Sequence, residues 1–304
     1  MNRVIITKIF FFSLILFASV GTFVGCKKKD DEKKVVISIK GSDTMVNLAQ
    51  KWAEIYMQTN PNVSIQVTGG GSGTGVAALL NQTTNIALSS REMKPAEIEK
   101  FNERGITYSE FPVALDGLAV IVHPSNPLDS LTLEQIRDIF IGRATNFNKF
   151  STYDSKISIY GRENSSGTYE FFKDHVLGKD AQGNSYDYSP KTQVLQGTSA
   201  LAEAIARDVN GIAYGGVGYF AHRNDVKIIH IKKDKDSPAI APAENNKVNF
   251  DVIWSGDYSI SRNLYMFVAG QAEGEIKTFI EWIVSPAGQK IVETMEYIPL
   301  RKVE

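Results

Sequence analysis

The sequence predicts an α/β protein built around a parallel sheet. A strand, a hydroxyl-rich turn and a helix follow one another three times before residue 105, and a similar unit recurs near residue 162. Such alternation favours parallel strands, whose ligands bind at their carboxyl ends. The composition of 43% hydrophobic and 22% charged residues is that of a globular protein with a substantial core.

The first of these units shows the pattern plainly. An apolar strand at residues 35–40 enters Gly41-Ser42-Asp43-Thr44-Met45. A helix follows in which Leu48, Trp52 and Tyr56 share one stripe, and Asn60-Pro61 ends it. The next two units follow in the same order: strand 63–67, glycine run 69–75 and helix 76–80, then strand 85–88, Ser89-Ser90-Arg91 and helix 95–104.

The glycine run is compared with three better-known loops. A Walker loop needs Lys where Val76 stands, and a nucleophile elbow needs Gly where Thr74 stands. A relaxed dinucleotide fingerprint fits the glycines, but no acidic residue follows at the required strand end. A flexible surface loop remains an alternative to an anion-binding loop, in which glycines let backbone N–H groups approach the ligand and Ser72 adds a hydroxyl.

A long apolar stretch at residues 111–123 is predicted to bend at Asp116-Gly117, as a crossing between domains would. Beyond Pro124 the pattern restarts, with Thr132 as the predicted cap of a helix. The later elements are predicted as loop 178–189, helix 200–207, strand 211–215, strand 226–232, surface excursion 234–246, strand 264–268, a helix carrying Ile276 to Ile283, and a last helix from Ser285.

The segment Arg162 to Thr168 joins a predicted strand at 156–160 to a predicted helix at 169–177. Free N–H groups and the positive end of the helix dipole make such a turn an anion site. Arg162 adds a cationic fork that suits a bidentate oxyanion. An ordinary N-cap beside a surface arginine is the alternative.

The first 25 residues read as an export signal. Arg3 and Lys8 precede an apolar run from Ile9 to Val20 that is short for a membrane span. The segment ends in Phe23-Val24-Gly25-Cys26 and resembles a bacterial lipoprotein signal. This resemblance implies that Cys26, the single cysteine, is the mature N-terminus and carries a lipid. Residues 26–34 are predicted to form a charged tether. An uncleaved membrane anchor is the alternative. Both place the protein outside the cytoplasm.

The charge balance argues against a nucleic-acid partner. The 33 basic residues fall to 31 when Arg3 and Lys8 leave with the signal, against 34 acidic residues, so the mature charge is near −3. Nucleic acid requires a basic face. A bound anion must therefore be held by local dipoles and hydrogen bonds.

These motifs together resemble the substrate-binding lipoprotein of bacterial phosphate ABC transporters, the PstS-like phosphate-binding family. They occur in the family's order along nearly all of residues 35–301. The matching stretches are Gly41 to Met45, Gly69 to Gly75, Leu88 to Arg91, Leu115 to Gly117, Arg162 to Thr168, Gly211 to Tyr214, and Ser285 to Gln289.

The resemblance implies a two-lobed, type II periplasmic-binding-protein-like fold, each lobe a mixed, mainly parallel sheet flanked by helices. Residues 35–115 and 261–304 form lobe 1, and residues 116–260 form lobe 2. It also implies inorganic phosphate as ligand, an ABC permease as partner, and a monomer without cofactor or metal. The residues it assigns to phosphate are Ser42, Thr44, Met45, Ser72, Ser90, Arg162, Ser166, Gly167 and Thr168.

One position departs from the family pattern. Many members carry an Asp that accepts the proton of hydrogen phosphate and repels sulfate; Ser90 stands at that position, followed by Arg91. Asp43 or Asp116 are the alternative acceptors, and Arg91 either attracts the anion or pairs with Glu92 or Glu97. Another tetrahedral oxyanion, sulfate or molybdate, thus remains a second candidate ligand.

A phosphoester hydrolase is the third possibility, from a different functional class. It would need a nucleophile beside a base, or metal ligands. The four histidines form no HxH or HxxxH pair, and Cys26 is assigned to the lipid. The sequence therefore predicts a binding protein with no catalytic residue.

Overall fold

The computed structural model of the protein describes residues 34–302. The predicted export signal, the lipid attachment at Cys26 and nearly all of the tether at residues 26–34 lie outside the described residues. No helix within the described part is long and apolar enough to cross a membrane.

The predicted strands are present with small shifts at their ends. The strands are β1 Val35–Gly41, β2 Val63–Thr68, β3 Ile86–Ser89, β4 Tyr108–Val122, β5 Ser130–Thr132, β6 Ser158–Arg162, β7 Gln193–Leu195, β8 Gly211–Gly216, β9 Lys227–Ile228, β10 His230–Lys232, β11 Ala243–Glu244, β12 Lys247–Val248 and β13 Ser261–Ala269. The short strands β5, β7, β11 and β12 were not predicted.

The helices occupy the predicted intervals between the strands, with one exception. They are α1 Val46–Thr59, α2 Ser72–Leu80, α3 Pro95–Glu103, α4 Leu133–Phe140, α5 Gly167–Phe172, α6 Thr198–Ile205, α7 Phe250–Trp254, α8 Gly274–Val284 and α9 Pro286–Thr294. The exception is α7, which was not predicted. Short 3₁₀ turns include Asp43–Met45, and a π-helical turn continues α5 over Lys173–Leu177.

The main sheet is mixed and has nine strands in the order β2-β1-β3-β13-β4-β8-β6-β7, with β9 also beside β4. The outer strands pair in parallel with their neighbours, whereas β13 and β4 run antiparallel to theirs. The predicted α/β class with mixed sheets is confirmed. The strands nevertheless form one continuous sheet, because a single long strand belongs to both halves of the sheet.

That strand is β4, and it corrects the predicted bend at Asp116-Gly117. The chain stays extended there and changes its partner: β4 pairs with β13 up to Gly117 and with β8 from Leu118 onward. A charged residue is tolerated inside this buried strand because Asp116 lies opposite Arg262 of β13.

The buried side chains form two main cores on either side of this point. One includes Val113 and Ala114 of β4 with β1, α1, α8 and α9; the other includes Leu118 to Val122 with β8, α4 and α6. A third, smaller cluster from α2 and α3 covers the opposite face of the first part of the sheet. Successive residues of β13 alternate between these faces, as strand geometry requires.

Two predicted boundaries are wrong. Helix α2 begins at Ser72, four residues earlier than predicted, so Gly73 and Gly75 lie within it. A Cβ on Gly75 would approach the Lys40 carbonyl oxygen to 2.5 Å, which explains how the helix lies so close to β1. The predicted strand 226–232 is split at Ile229, because its first part pairs with β4 and its second with β5.

Candidate functional site

The residues predicted to bind the anion lie where four strands end. Strands β1, β2 and β3 lead into the loops at Ser42, Ser72 and Ser90, and β6 ends at Arg162 just before α5. All nine predicted residues are buried. They are Ser42, Thr44, Met45, Ser72, Ser90, Arg162, Ser166, Gly167 and Thr168.

Two threonines from distant parts of the chain meet at this point. The hydroxyl of Thr44 lies 3.0 Å from that of Thr168, although 124 positions separate them. Arg262 Nη2 donates to the Thr168 hydroxyl at 2.9 Å and reaches the Thr44 hydroxyl at 3.5 Å. The loop after β1 and the start of α5 thus share one buried arginine.

Ser72, Ser90 and Gly167 form a second group of contacts. The Ser90 N–H donates to Ser72 Oγ at 3.1 Å, and the two hydroxyl oxygens lie 3.4 Å apart. A Cβ on Gly167 would come within 2.2 Å of Ser72 Oγ and 2.6 Å of Ser90 Oγ. Only glycine leaves both hydroxyls and the start of α5 in this arrangement.

Several of the predicted backbone donors already have partners in the protein. Ser166 caps α5, and its Oγ accepts from the N–H groups of Thr168 and Tyr169. The Met45 N–H donates to the Ser42 carbonyl inside a 3₁₀ turn. Because Ser166 accepts with its oxygen, its own O–H stays available for donation to a ligand.

Arg162 is almost fully buried, and each nitrogen of its guanidinium group is engaged. Nε and Nη2 donate to the two carboxylate oxygens of Glu163 at 3.0 and 2.9 Å, and Nη1 donates to the Thr198 hydroxyl. Nη2 also donates to Asp43 Oδ2 at 2.9 Å. Arg162 therefore connects the start of α5 with the loop after β1 and lies between two carboxylates.

The structure places two side chains that the sequence left open. Asp43 accepts from the Gly70 N–H at 2.7 Å with its other oxygen, so both oxygens are used. Arg91 is buried and makes a bidentate pair with Glu97 at 2.7 and 2.8 Å. Of the alternatives for Arg91, pairing with an acidic neighbour is the one observed.

Asp116 and Arg262 form a buried ion pair, with Oδ2 accepting from Nη2 at 2.8 Å and from Nε at 3.1 Å. Burial raises the pKa of the Asp116 carboxyl, and Arg262 opposes that rise. Burial likewise lowers the pKa of the Arg262 guanidinium, while Asp116 raises it. Each charge thus depends on the other, because both side chains are almost fully buried.

Sequence reasoning missed Arg262 altogether. The available signal was a single arginine near the start of an otherwise apolar strand. An arginine is rarely buried without a partner. Asp116 interrupts its own strand in the same way. The pairing of the two follows from the register of β4 and β13, which neither residue indicates by itself.

The parts of the chain that belong to the two main cores contact each other directly around this site. The Gly73 N–H donates to the Ser165 carbonyl at 3.0 Å, and Lys94 pairs with Glu170 at 2.6 Å. Tyr219 donates its hydroxyl to the Asp43 carbonyl at 3.0 Å. Burial raises the pKa of Tyr219 to about 12, so this hydroxyl is a neutral donor at ordinary pH.

A cavity of about 380 Å³ lies beside the site, lined by residues from both sides, among them Arg91, Arg262 and Phe171. Within residues 34–302, no group of three His, Cys, Asp or Glu side chains is arranged to hold a metal ion. The site itself presents hydroxyl, backbone N–H and guanidinium donors. Such a set of donors is suited to an oxyanion, and the site residues that the structure describes include no nucleophile paired with a base.

The chain matches a family model described as a PBP superfamily domain over residues 28–287. The phosphate-binding protein PstS of Pseudomonas aeruginosa is 32% identical over 281 residues, covering 87% of this chain and 83% of the relative. PstS of Staphylococcus aureus is 27% identical over 265 residues, covering 85% of this chain and 76% of the relative.

Solved structures give the same result. A putative phosphate ABC transporter substrate-binding protein from Clostridium perfringens superposes with a TM-score of 0.74 at 26% identity, covering 88% of this chain and all of that one. An ABC-type phosphate transport receptor from Vibrio cholerae gives 0.68 at 27% identity, covering 86% and 99%. The chain therefore belongs to the PBP superfamily and, within it, to the family of phosphate-binding proteins PstS.

Proposed function

We propose that this protein is the substrate-binding component of a phosphate ABC transporter and that it captures inorganic phosphate between two lobes for import by a permease. The observation that carries the proposal is the burial of nine hydroxyl, backbone and guanidinium residues at one meeting point of four strand ends. Relatives that share this fold over most of the chain are named for phosphate binding or transport.

In this proposal, lobe 1 consists of residues 35–115 and 261–304, and lobe 2 consists of residues 116–260. The composition of the two main cores supports this division, since Val113 and Ala114 of β4 belong to one core and Leu118 to Val122 belong to the other. Two segments then connect the lobes, one in β4 and one at the start of β13. Two adjacent antiparallel strands of this kind are suited to act as a hinge.

The phosphate ligands come from both lobes. Ser42, Thr44, Met45, Ser72 and Ser90 belong to lobe 1, and Arg162, Ser166, Gly167 and Thr168 belong to lobe 2. Because both sets are in reach only when the lobes close, phosphate stabilises the closed form by its greater affinity for it. The buried contacts between Thr44 and Thr168 and between Asp43 and Arg162 support this geometry.

The protein acts outside the cytoplasm, tethered to a bacterial membrane by lipid on Cys26, and it works as a monomer. The sequence pattern of residues 1–26 supports export and anchoring. Its role is binding and delivery without catalysis, which the donor chemistry of the site supports.

A second candidate ligand is sulfate, another tetrahedral oxyanion. The side chain of Ser90 favours it, because this residue presents a hydroxyl beside that of Ser72 where a carboxylate would repel a fully ionised anion. Asp43, the nearest carboxylate in the first loop, already accepts from Gly70 and Arg162.

Calorimetric titration distinguishes these candidates. The chain from Lys27 onward contains the whole compact unit that starts at Lys34. It is stripped of ligand by unfolding and refolding and titrated with phosphate and then sulfate, at pH 5 and pH 8. Tight phosphate binding with no heat from sulfate supports the proposal. Comparable sulfate binding changes the assigned ligand, and no binding of either anion refutes the proposal.

Hydrolysis is tested on the same sample with a chromogenic phosphate ester. A binding protein releases no phosphate above the rate of the buffer. Turnover that disappears in the Arg162→Ala variant would contradict the assignment as a binding protein.

A further inference from the structure

We infer that Arg262 is an anion-contacting residue, which donates to the bound phosphate through the N–H of Nη1 that lies beside the Thr168 hydroxyl. This inference rests on the proposed function and adds a residue that neither the motifs nor the family resemblance assigns. In this inference, Asp116 holds the guanidinium group in the orientation needed for that contact.

The free donor of Arg262 is the first observation. Nη1 is buried and has no hydrogen-bond partner among the described residues. A buried N–H without a partner is costly, so native proteins satisfy nearly all of them. A ligand oxygen would satisfy this one.

The direction of that donor follows from the planar geometry of the guanidinium group. Nε and Nη2 both donate to the same oxygen of Asp116, so the ion pair uses the side edge. The second hydrogen of Nη2 then lies on the end edge, where it reaches Thr168. One N–H of Nη1 runs parallel to it, because the fork is rigid. The free donor therefore faces the same side as the Thr44 and Thr168 hydroxyls.

The orientation of Arg262 is held from several directions. Asp116 fixes one edge, and the ring of Phe171 lies 5.4 Å from the guanidinium carbon. The side chains of Arg262 and Asp116 are each only 2% exposed. A donor held in place before the ligand arrives loses little conformational entropy on binding.

Arg162 differs from Arg262 in its hydrogen bonding and in the net charge of the groups around it. All of its nitrogens donate to protein groups, and two carboxylates, Asp43 and Glu163, lie at 2.9 Å from Nη2. An anion near Arg162 therefore meets a group of net negative charge, whereas an anion near Arg262 meets a neutral pair with one free donor. Arg162 thus approaches the anion with its nitrogens already shared with protein groups, whereas Arg262 brings a donor that no described protein group uses.

The test compares two double variants that each remove one arginine–aspartate ion pair without changing net charge. Arg262→Gln/Asp116→Asn removes the proposed contact. Arg223→Gln/Asp225→Asn is the matched control, because Arg223 likewise donates to its aspartate through Nε and Nη2, and neither residue lines the cavity beside the site. Both are produced from the full chain, stripped of ligand and titrated calorimetrically with phosphate.

The Arg262 double variant is expected to bind phosphate roughly tenfold to 150-fold more weakly, which is the range for losing a hydrogen bond to a charged group. The control is expected to stay within about threefold of wild type. Thermal unfolding without phosphate shows that each variant is folded. A folded Arg262 double variant with wild-type affinity overturns the inference, while phosphate binding by wild type leaves the proposed function intact.

A structure of the wild-type protein with phosphate gives an independent test that needs no variant. The inference requires a phosphate oxygen within about 3.2 Å of Arg262 Nη1. A complex in which Nη1 contacts only protein, or in which Arg162 alone contacts phosphate, overturns it. If wild type binds sulfate instead, both tests are made with sulfate and the same results decide.

Discussion

Gly167 shows how a single missing side chain brings two parts of the site together. Its Cα lies so close to Ser72 and Ser90 that a Cβ would overlap both hydroxyl oxygens. Backbone N–H groups at the start of α5 can then lie beside the hydroxyls of the other lobe. At this position glycine serves close approach; it is not needed for an unusual backbone angle.

Replacing this residue, Gly167→Ala, is expected to weaken phosphate binding by at least tenfold, because the lobes must separate to accommodate the methyl group. The control is Gly73→Ala, across the same interface, where a Cβ would lie 3.5 Å from its nearest neighbour, the Ser165 carbonyl oxygen. Calorimetric titration of both variants measures the difference. Equal affinities would mean that the lobes do not close on Gly167 in the phosphate complex.

Arg162 gives a second prediction at the residue scale. Arg162→Ala is expected to cost roughly 2–5 kcal/mol of phosphate binding, because it leaves Asp43 and Glu163 without their cation near the anion. Arg207→Ala, on an exposed side chain, serves as the control. Calorimetry of the two variants measures the loss, and an unchanged affinity in Arg162→Ala removes this residue from the site.

Helix α4 illustrates how a local motif can be read without knowing the fold. Thr132 caps it as predicted: its hydroxyl accepts from the Gln135 N–H at 3.1 Å, and the Gln135 side chain accepts from the Thr132 N–H. This reciprocal capping box satisfies two donors that the helix itself cannot. The helix contributes its apolar residues to the core that includes Leu118 to Val122, and Thr132 is not one of the predicted phosphate ligands.

Thr132→Ala is therefore expected to lower the free energy of unfolding by about 1 kcal/mol and leave phosphate affinity unchanged. Thr278→Ala, on the exposed face of α8, is the control and should change stability by less than about 0.5 kcal/mol. Urea denaturation provides the unfolding free energies. A large loss of phosphate affinity in Thr132→Ala would show that the cap influences the site, contrary to expectation.

Strand β4 was predicted less well than the helices. Its apolar character is evident, but Asp116-Gly117 resembles a break when the strand is read alone. The extended conformation continues because β13 supplies Arg262 opposite Asp116. A carboxylate that would be unfavourable alone in a buried strand is stable there once an arginine lies opposite it in register.

At the scale of the whole molecule, the two cores share a sheet and a ligand site. A ligand that binds only the folded, closed protein must stabilise it by mass action. With phosphate at one hundred times its dissociation constant, the gain is about 2.7 kcal/mol, which corresponds to a rise of roughly 5–10 °C in the unfolding midpoint.

Scanning calorimetry of the chain from Lys27 measures this shift, with sulfate at the same ionic strength as the control. A rise with phosphate and none with sulfate agrees with the proposed ligand. The same rise with both anions would point to a general salt effect or to a site without selectivity.

The sequence by itself determined the alternation of strands and helices, the loops that carry Ser42, Ser72 and Ser166, and the α/β class. These follow from periodicity, capping and turn residues, which act over a few positions. The tertiary structure decided which charges meet. Arg262 and Asp116 are 146 positions apart, and Arg162 and Asp43 are 119 apart. Ion pairs depend on distance in space, so only strand register and lobe contact bring them within reach.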